Sequence, residues 1–160
     1  MNIDRTYDIN LIRNVVLRPE IWETIAEDGH SPYDYHPDLQ RNCFLHVWED
    51  EKTIGLFEFK PVNAVTIDVH PYILPEFRGK KANEAGKLHL EWVYDNLPHC
   101  NKIIGNIPTL YKNVKIYSLM LGYREEGYST ASYLKNGEIH DRWYLGITRD
   151  EIERQLQCQE

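Results

Sequence analysis

The sequence has little of several features whose absence limits what the protein can be. Its three cysteines, Cys43, Cys100 and Cys158, are widely spaced and form no Cys-x-x-Cys pair, so they give no zinc or redox motif. No stretch approaches the roughly 18 consecutive apolar residues that a membrane-spanning helix requires. The first ten residues lack a basic start followed by an apolar run, which predicts no secretion signal. We therefore expect a reduced, soluble, cytoplasmic protein that does not contact a membrane.

Positive charge is also in the minority. The chain carries 18 lysines and arginines against 25 acidic residues, a net charge of −7, which argues against binding a nucleic-acid backbone over a broad face. Apolar residues make up 42% and aromatic residues 12% of the sequence, which excludes disordered and fibrous classes. With 160 residues, the sequence predicts one globular domain that spans residues 1–160. The sequence gives no prediction of its oligomeric state.

Hydrophobic periodicity predicts alternating helical and extended segments. Pro19 divides an early helical stretch into two short helices, because proline suits the first turn of a helix and disrupts its interior. A long loop over residues 30–42 follows, and loops of that length often overhang a functional site. The predicted order is ααβββαβαββ with a possible last helix. The later elements are strands over 44–49, 53–59 and 64–73, a helix over 82–97, a strand over 102–106, a helix from Pro108 to Leu121, two strands within 123–147 joined at Lys135-Asn136-Gly137, and the last helix over 148–157.

The segment from Pro71 to Lys87 is the most informative. A strand ends at Ile73, a loop with three cations follows, and a helix begins near Ala82. Free backbone N–H groups, the positive end of the helix dipole and the cations converge there, as recognition of a pyrophosphate requires. A solvated basic loop is the alternative interpretation of the same charges.

In this region the sequence resembles the GNAT superfamily of N-acetyltransferases. The resemblance rests on the strings Ile73-Leu74-Pro75, Phe77-Arg78-Gly79-Lys80 and Leu121-Gly122-Tyr123, in this order, and on a short strand that ends near Asn106. It covers most of the chain. The tail from Leu121 to Tyr128, then Asn136-Gly137 and Asp141, is similar to the branch that acetylates the N-terminal alanine of ribosomal proteins.

The resemblance implies an α+β GNAT (acyl-CoA N-acyltransferase) fold, with a mixed, mostly antiparallel central sheet and helices on both faces. It also implies acetyl-CoA as cosubstrate and no metal. The positions that match the family's coenzyme-binding residues are Ile73, Arg78, Gly79, Lys80, Lys81, Ala82, Asn83, Asn106 and Tyr111. Lys81 and Asn83 stand where the family has small residues, so Lys81 either obstructs the pyrophosphate or turns outward and adds a charge contact.

The expected catalytic residues are His70, Glu58, Ser118 and Tyr72. Ser118 occupies the place of the family's tyrosine acid. His70 is the first choice as base because histidine accepts a proton near neutral pH, and Glu58 is the second. Alternation places His70 and Tyr72 on one strand face, with Glu58 on the strand beside it. Two alternatives stay open, namely a water relay and a packed or solvent-facing His70.

Two functions from different classes follow from the resemblance. The first is acetyl transfer from coenzyme A to a primary amine, with a protein N-terminus or a polyamine as acceptor. The second comes from the similarity to acetyltransferase-like proteins of tailed bacteriophages, and it is a catalytically degenerate GNAT fold that acts as a binding or head-assembly module. In that case the protein would be phage-encoded and located in the host cytoplasm.

Overall fold

A computed structural model describes residues 1–158. None of the helices in this part of the chain is long and apolar enough to cross a membrane. Short 3-10 helices cover Pro32–Asp34 and Pro75–Phe77. The other elements are β1 (Asn2–Thr6), α1 (Ile9–Val16), α2 (Pro19–Ile25), β2 (Cys43–Glu49), β3 (Lys52–Pro61), β4 (Thr66–Ile73), α3 (Lys80–Asn96), β5 (Lys102–Pro108), α4 (Lys112–Met120), β6 (Arg124–Lys135), β7 (Glu138–Thr148) and α5 (Arg149–Gln157).

The seven strands form one sheet in the order β1-β2-β3-β4-β5-β7-β6. All neighbouring strands are antiparallel except β4 and β5, which are parallel. A parallel pair needs a crossover, and here the crossover is α3, the longest helix. The sheet is therefore mixed and mostly antiparallel, as predicted.

Helices cover both faces of this sheet, which is also as predicted. On one face, α3 and α5 pack against a core that includes Phe57, Phe59 and Ile103. On the other face, α1 and α2 pack against Phe44 and Tyr72. Successive side chains of a strand point to opposite faces, so even-numbered residues of β4 lie on the α1/α2 face and odd-numbered residues on the α3/α5 face.

Local sequence features predicted several boundaries correctly. Pro19 is the first residue of α2, three residues after α1 ends at Val16, and Thr148 caps α5 through a reciprocal capping box with Glu151. Asn136 and Gly137 form the two-residue turn between β6 and β7, and both have positive φ.

Three predictions about elements were wrong. Strand β1 was missed, because its five mostly polar residues lie at the sheet edge and are defined by pairing with β2. Pro108 ends β5 and opens no helix, and α4 begins only at Lys112. Helix α3 begins at Lys80, two residues earlier than predicted, so Lys80 and Lys81 belong to its first turn.

Aromatic residues on the strands serve mainly as core. Phe44, Phe57 and Phe59 are fully buried, and Trp92 of α3 packs against Phe59 with ring centroids 6.4 Å apart. His89 of α3 stacks on Phe57 at 4.4 Å between centroids and is 1% exposed. Burial lowers the pKa of His89 to about 3, because the charged imidazolium loses its hydration there.

Neutral His89 makes the fold sensitive to acid. The unfolded chain takes up a proton at His89 below about pH 6.5, whereas the folded chain does not until about pH 3, so the free energy of unfolding falls as the pH falls through this range. Between pH 7 and pH 5 this residue alone should cost about 2 kcal/mol of stability. We expect His89→Gln to remove that part of the pH dependence in urea unfolding. His99→Gln, a change at an exposed histidine, is the matched control and should leave the pH dependence at its wild-type size.

Candidate active site

The central feature of the site is the separation of β4 from β5. The two strands are paired only at three positions, from Thr66 opposite Lys102 to Asp68 opposite Ile104. Beyond these pairs, β4 continues to Ile73 beside β3 alone, and β5 continues to Pro108 beside β7 alone. Each strand thus turns an edge with unpaired backbone groups toward the other, and these groups can pair with an extended ligand that carries amides.

The N-terminus of α3 lies seven residues after the end of β4 in the chain and has no side-chain cap. Gly79 precedes the helix with φ of 86°, a conformation that favours glycine. The first helical hydrogen bond runs from the N–H of Asn83 to the carbonyl of Gly79. The N–H groups of the preceding turn are therefore available to an anion, at the positive end of the dipole of a 17-residue helix.

The three cations of this segment are placed differently. The side chain of Lys80 is 92% exposed and lies 3.9 Å from Glu84, while Arg78 is exposed just before the helix. Lys81 donates to the carboxylate of Glu49 at the end of β2, and this contact lowers the pKa of Glu49 and raises that of Lys81. Of the two alternatives given for Lys81, obstruction of the pyrophosphate or an outward position, the structure shows the outward one. Its charge contact is with the protein's own Glu49.

Helix α4 contributes the serine that was expected to act as acid. The hydroxyl of Ser118 donates to the carbonyl of Val114 one turn earlier, at 3.1 Å. Tyr117 donates from its hydroxyl to the carbonyl of Ala82 at 2.9 Å, and burial raises its pKa. A Cβ on Gly86 would lie 2.5 Å from the Tyr117 hydroxyl, so α3 and α4 approach closely through that glycine. Tyr117 thus serves in packing between α3 and α4, and the hydroxyl of Ser118 is already engaged within its own helix.

Glu58 and Tyr72 meet on the α1/α2 face. The Tyr72 hydroxyl donates to Oε2 of Glu58 at 2.5 Å, and Nδ2 of Asn42 donates to Oε1 at 2.7 Å. Nζ of Lys60 lies 3.7 Å from Oε2. Glu58 is 4% exposed, so these three groups replace the water that a buried carboxylate loses. Burial, then the neighbouring Glu58 charge, raises the pKa of Tyr72 well above its usual value, so Tyr72 is a proton donor rather than a base.

His70 lies between Glu58 and the separation of the strands. It stands opposite Glu58 in the β3–β4 ladder, and its side chain is 33% exposed. Its Nε2 lies 3.4 Å from Oδ2 of Asp68, and the same Oδ2 accepts from Nδ2 of Asn106 at 3.2 Å. The structure thus brings together three of the four expected catalytic residues, together with Asn106 from the expected coenzyme set.

The long loop before β2 overhangs this cluster, as predicted. It supplies Asn42, which holds Glu58, and Tyr35, whose ring packs edge-on against Trp22 of α2 with centroids 5.9 Å apart. The backbone carbonyl of Tyr35 accepts from Arg13 of α1. Burial and then the charge of Glu58 raise the pKa of Tyr35, so its hydroxyl stays protonated beside the carboxylate.

Tyr111 is directed toward α2. Its hydroxyl donates to the carbonyl of Glu23 at 3.4 Å. Near this contact, the Asp28 carboxylate accepts from the backbone N–H groups of Asn136 at 2.9 Å and Gly137 at 2.7 Å. Nζ of Lys135 donates to the carbonyl of Ala26 at 2.8 Å. The segment after α2 is therefore fastened to the β6–β7 turn.

Sequence reasoning missed two side chains of the site. Asp68 lies on the same strand face as His70, so alternation alone could have included it. Asn42 had no such indication, because a loop amide that contacts a strand residue 16 positions later is not visible in any local pattern. Among residues 1–158, no group of three or more His, Cys, Asp or Glu side chains is arranged to hold a metal ion.

Comparison with solved structures identifies the architecture. Spermidine N-acetyltransferase from Vibrio cholerae in complex with CoA and spermine superposes with a TM-score of 0.79 at 19% identity, covering 95% of this chain and 97% of that one. The same enzyme with manganese ions gives a TM-score of 0.74 at 17% identity, covering 96% of this chain and 95% of that one. The chain therefore has the GNAT fold, as the sequence predicts, although identities this low show the fold alone.

Comparison with curated proteins found no match. A family profile does match, over residues 2–158, and its description is "Protein of unknown function (DUF2824)". Because this match covers almost the whole length, the chain belongs to the DUF2824 family.

Proposed function

We propose that the protein is an acetyl-CoA-dependent N-acetyltransferase that acts on a primary amine. The observation that carries this proposal is the separation of β4 from β5, with the polar side chains around His70 at the point of separation and the uncapped N-terminus of α3 seven residues after the end of β4. The arrangement offers one place for an anionic, amide-bearing donor and another for an amine. The complex of the Vibrio cholerae enzyme with CoA and spermine supports the same division.

On the coenzyme side, the backbone does most of the binding. The N–H groups of Lys80, Lys81 and Ala82 and the exposed charges of Arg78 and Lys80 would hold the pyrophosphate. The free edge of β4 up to Ile73 would pair with the pantetheine amides. Since backbone groups provide these contacts, the lysine and the asparagine at positions 81 and 83 do not by themselves remove the site. Tyr111 completes the proposed coenzyme set, and Asn106, which contacts Asp68 where β4 and β5 separate, would lie between the coenzyme and the acceptor.

On the acceptor side, His70 is the base. It takes a proton from the bound ammonium, and the freed nitrogen lone pair attacks the thioester carbonyl carbon, so that the C–N bond forms. The C–S bond breaks as this adduct collapses, and the second proton of the nitrogen leaves to water. A backbone N–H on the free edge of β4 polarises the carbonyl oxygen. Glu58 orients Tyr72 and keeps the cluster polar, since both of its oxygens already accept hydrogen bonds. The leaving thiolate takes its proton from water, with Ser118 as the only expected side-chain alternative.

The acceptor class follows from charge. The net charge of −7 attracts a cationic amine, and both a polyamine and the N-terminus of a basic protein carry that charge. A small polyamine has the additional support of the spermine in the complex of the similar Vibrio cholerae enzyme. Acetyl transfer to spermidine and to a peptide that begins with alanine, measured by thiol release, separates the two acceptors.

A second candidate function is a GNAT fold kept as a binding or head-assembly module of a phage. The contacts of Lys81 with Glu49 and of Ser118 with Val114 favour it, because both side chains stand at family positions and are engaged within the protein. The apolar side chains of Ile116 and Met120 on α4, which are 57% and 64% exposed, also favour it. This candidate predicts neither coenzyme binding nor acetyl transfer.

Coenzyme binding provides the first test. At about 100 times its dissociation constant, acetyl-CoA should stabilise the protein by about 2.7 kcal/mol, which a thermal melt detects. Arg78→Ala should weaken this effect without lowering the melting temperature of the free protein, because Arg78 is exposed. Arg154→Ala, the same change at an exposed position on α5, is the control and should behave like the wild type. A melt that acetyl-CoA leaves unchanged would favour the binding module.

The role of His70 provides the second test. His70→Gln should lower the rate of acetyl transfer by about a hundredfold or more, because a general base contributes that much and a glutamine amide cannot accept the amine proton. The stabilisation by acetyl-CoA should stay the same, since His70 lies on the proposed acceptor side. If His70→Gln lowers the rate only a few-fold, a water relay accepts the proton instead.

A further inference from the structure

Three buried hydrogen-bond acceptors meet where β4 and β5 separate. They are Oδ1 of Asp68, Oδ1 of Asn106 and Nε2 of His70, and none has a hydrogen-bond partner among residues 1–158. Asp68 is the last residue of β4 that pairs with β5, and the other two lie two residues farther from the last pair of the ladder, one on each strand. Buried acceptors without donors are rare in folded proteins, because each costs free energy.

The hydrogen bond between Asn106 and Asp68 fixes which atoms are free. An ionised carboxylate only accepts, so the atom of Asn106 that faces Oδ2 of Asp68 at 3.2 Å must be the amide nitrogen. Its oxygen is then left as an acceptor. Nε2 of His70 lies 3.4 Å from the same Oδ2 without the alignment of a hydrogen bond. In the tautomer with its proton on Nδ1, Nε2 presents a lone pair toward this oxygen, and a donor placed against both atoms would remove the repulsion.

Asp68 also lacks a permanent cation. Its side chain is 16% exposed, and within residues 1–158 its only ion-pair contact within 4.0 Å is His70, which is charged only when protonated. Glu58, on the neighbouring strand β3 and on the same face, has Tyr72, Asn42 and Lys60 around it. The two carboxylates therefore differ. Both oxygens of Glu58 accept hydrogen bonds within the protein, whereas Oδ1 of Asp68 has no donor among residues 1–158 and its negative charge has no permanent cation beside it, so both can serve a ligand.

We propose that Asp68, Asn106 and His70 form the binding site of a primary alkylammonium ion. Its three N–H donors match the three free acceptors, and its positive charge matches Asp68, whereas water offers two donors and an anion offers none. This inference rests on the proposed function, because the ammonium is the acceptor amine before it loses its proton. It makes Asp68, which sequence reasoning did not select, the residue that recognises the acceptor.

Calorimetric titration of the full chain tests the site without acetyl transfer. The probes are n-butylamine and butyltrimethylammonium, which carry the same charge but differ in N–H donors, each titrated with and without coenzyme A. We expect n-butylamine to bind and the quaternary ion to bind at least about tenfold more weakly, a difference of about 1.4 kcal/mol. Asp68→Asn should weaken n-butylamine binding by at least about tenfold.

Asp4→Asn is the matched control. It removes the same charge on β1, three strands from β4, and an asparagine can still accept from the N–H of Arg5 as Asp4 does. Its affinity for n-butylamine should equal that of the wild type. Asn106→Ala gives a second, independent change that removes one acceptor and keeps the charge of Asp68, and it should also weaken binding.

Several results would overturn the proposal. They are equal binding of the two probes, wild-type affinity in Asp68→Asn or Asn106→Ala, and no binding of n-butylamine with or without coenzyme A. Failure of the proposed function is a separate result, since the melts with acetyl-CoA report coenzyme binding by themselves. Amine binding without any stabilisation by acetyl-CoA would keep the ammonium site and reject the transferase.

Discussion

The structure depends on one constraint, the short parallel ladder between β4 and β5. It holds only three residue pairs, from Thr66 to Asp68 on β4, and it is the only parallel pairing among the strands of residues 1–158. Beyond Asp68, the backbones of β4 and β5 keep partners on one side only, so an edge with free N–H and C=O groups lies inside the sheet rather than at its margin. The polar cluster around His70 lies where the two strands separate, and the start of α3 follows the end of β4 by seven residues.

The two sides of the opening depend on different interactions, backbone groups on one side and side-chain hydrogen bonds on the other. The proposed coenzyme side would rely on backbone groups and the dipole of α3, which do not depend on the side chains at positions 81 and 83, and Lys81 contacts Glu49. The proposed acceptor side would rely on individual side chains. There both oxygens of Glu58 accept hydrogen bonds and Oδ1 of Asp68 has no partner among residues 1–158, and the proposal that Asp68 recognises the amine rests on this difference.

Sequence reasoning succeeded where the determinant is local. The proline that starts α2, the turn at Asn136-Gly137 and the start of the last helix at Thr148 each depend on residues within a few positions of one another. It failed where the partner is distant. Strand β1 is polar, and only its ladder with β2, about 40 residues away along the chain, makes it a strand. The hydrogen bond from Asn42 to Glu58 could not be predicted from the sequence for the same reason.

The sequence by itself determined the order of most elements and the position of the cationic segment at the start of α3, because periodicity, turn residues and the polar face of β4 are properties of short segments. Its resemblance to the GNAT superfamily implied the α+β class. Alternation also placed His70 and Tyr72 on one face. Only the tertiary structure decided which polar groups are satisfied. Whether Ser118 is free, where Lys81 points and which carboxylate keeps an open oxygen depend on contacts between distant segments, and a hydrogen bond exists only where folding brings donor and acceptor within about 3 Å.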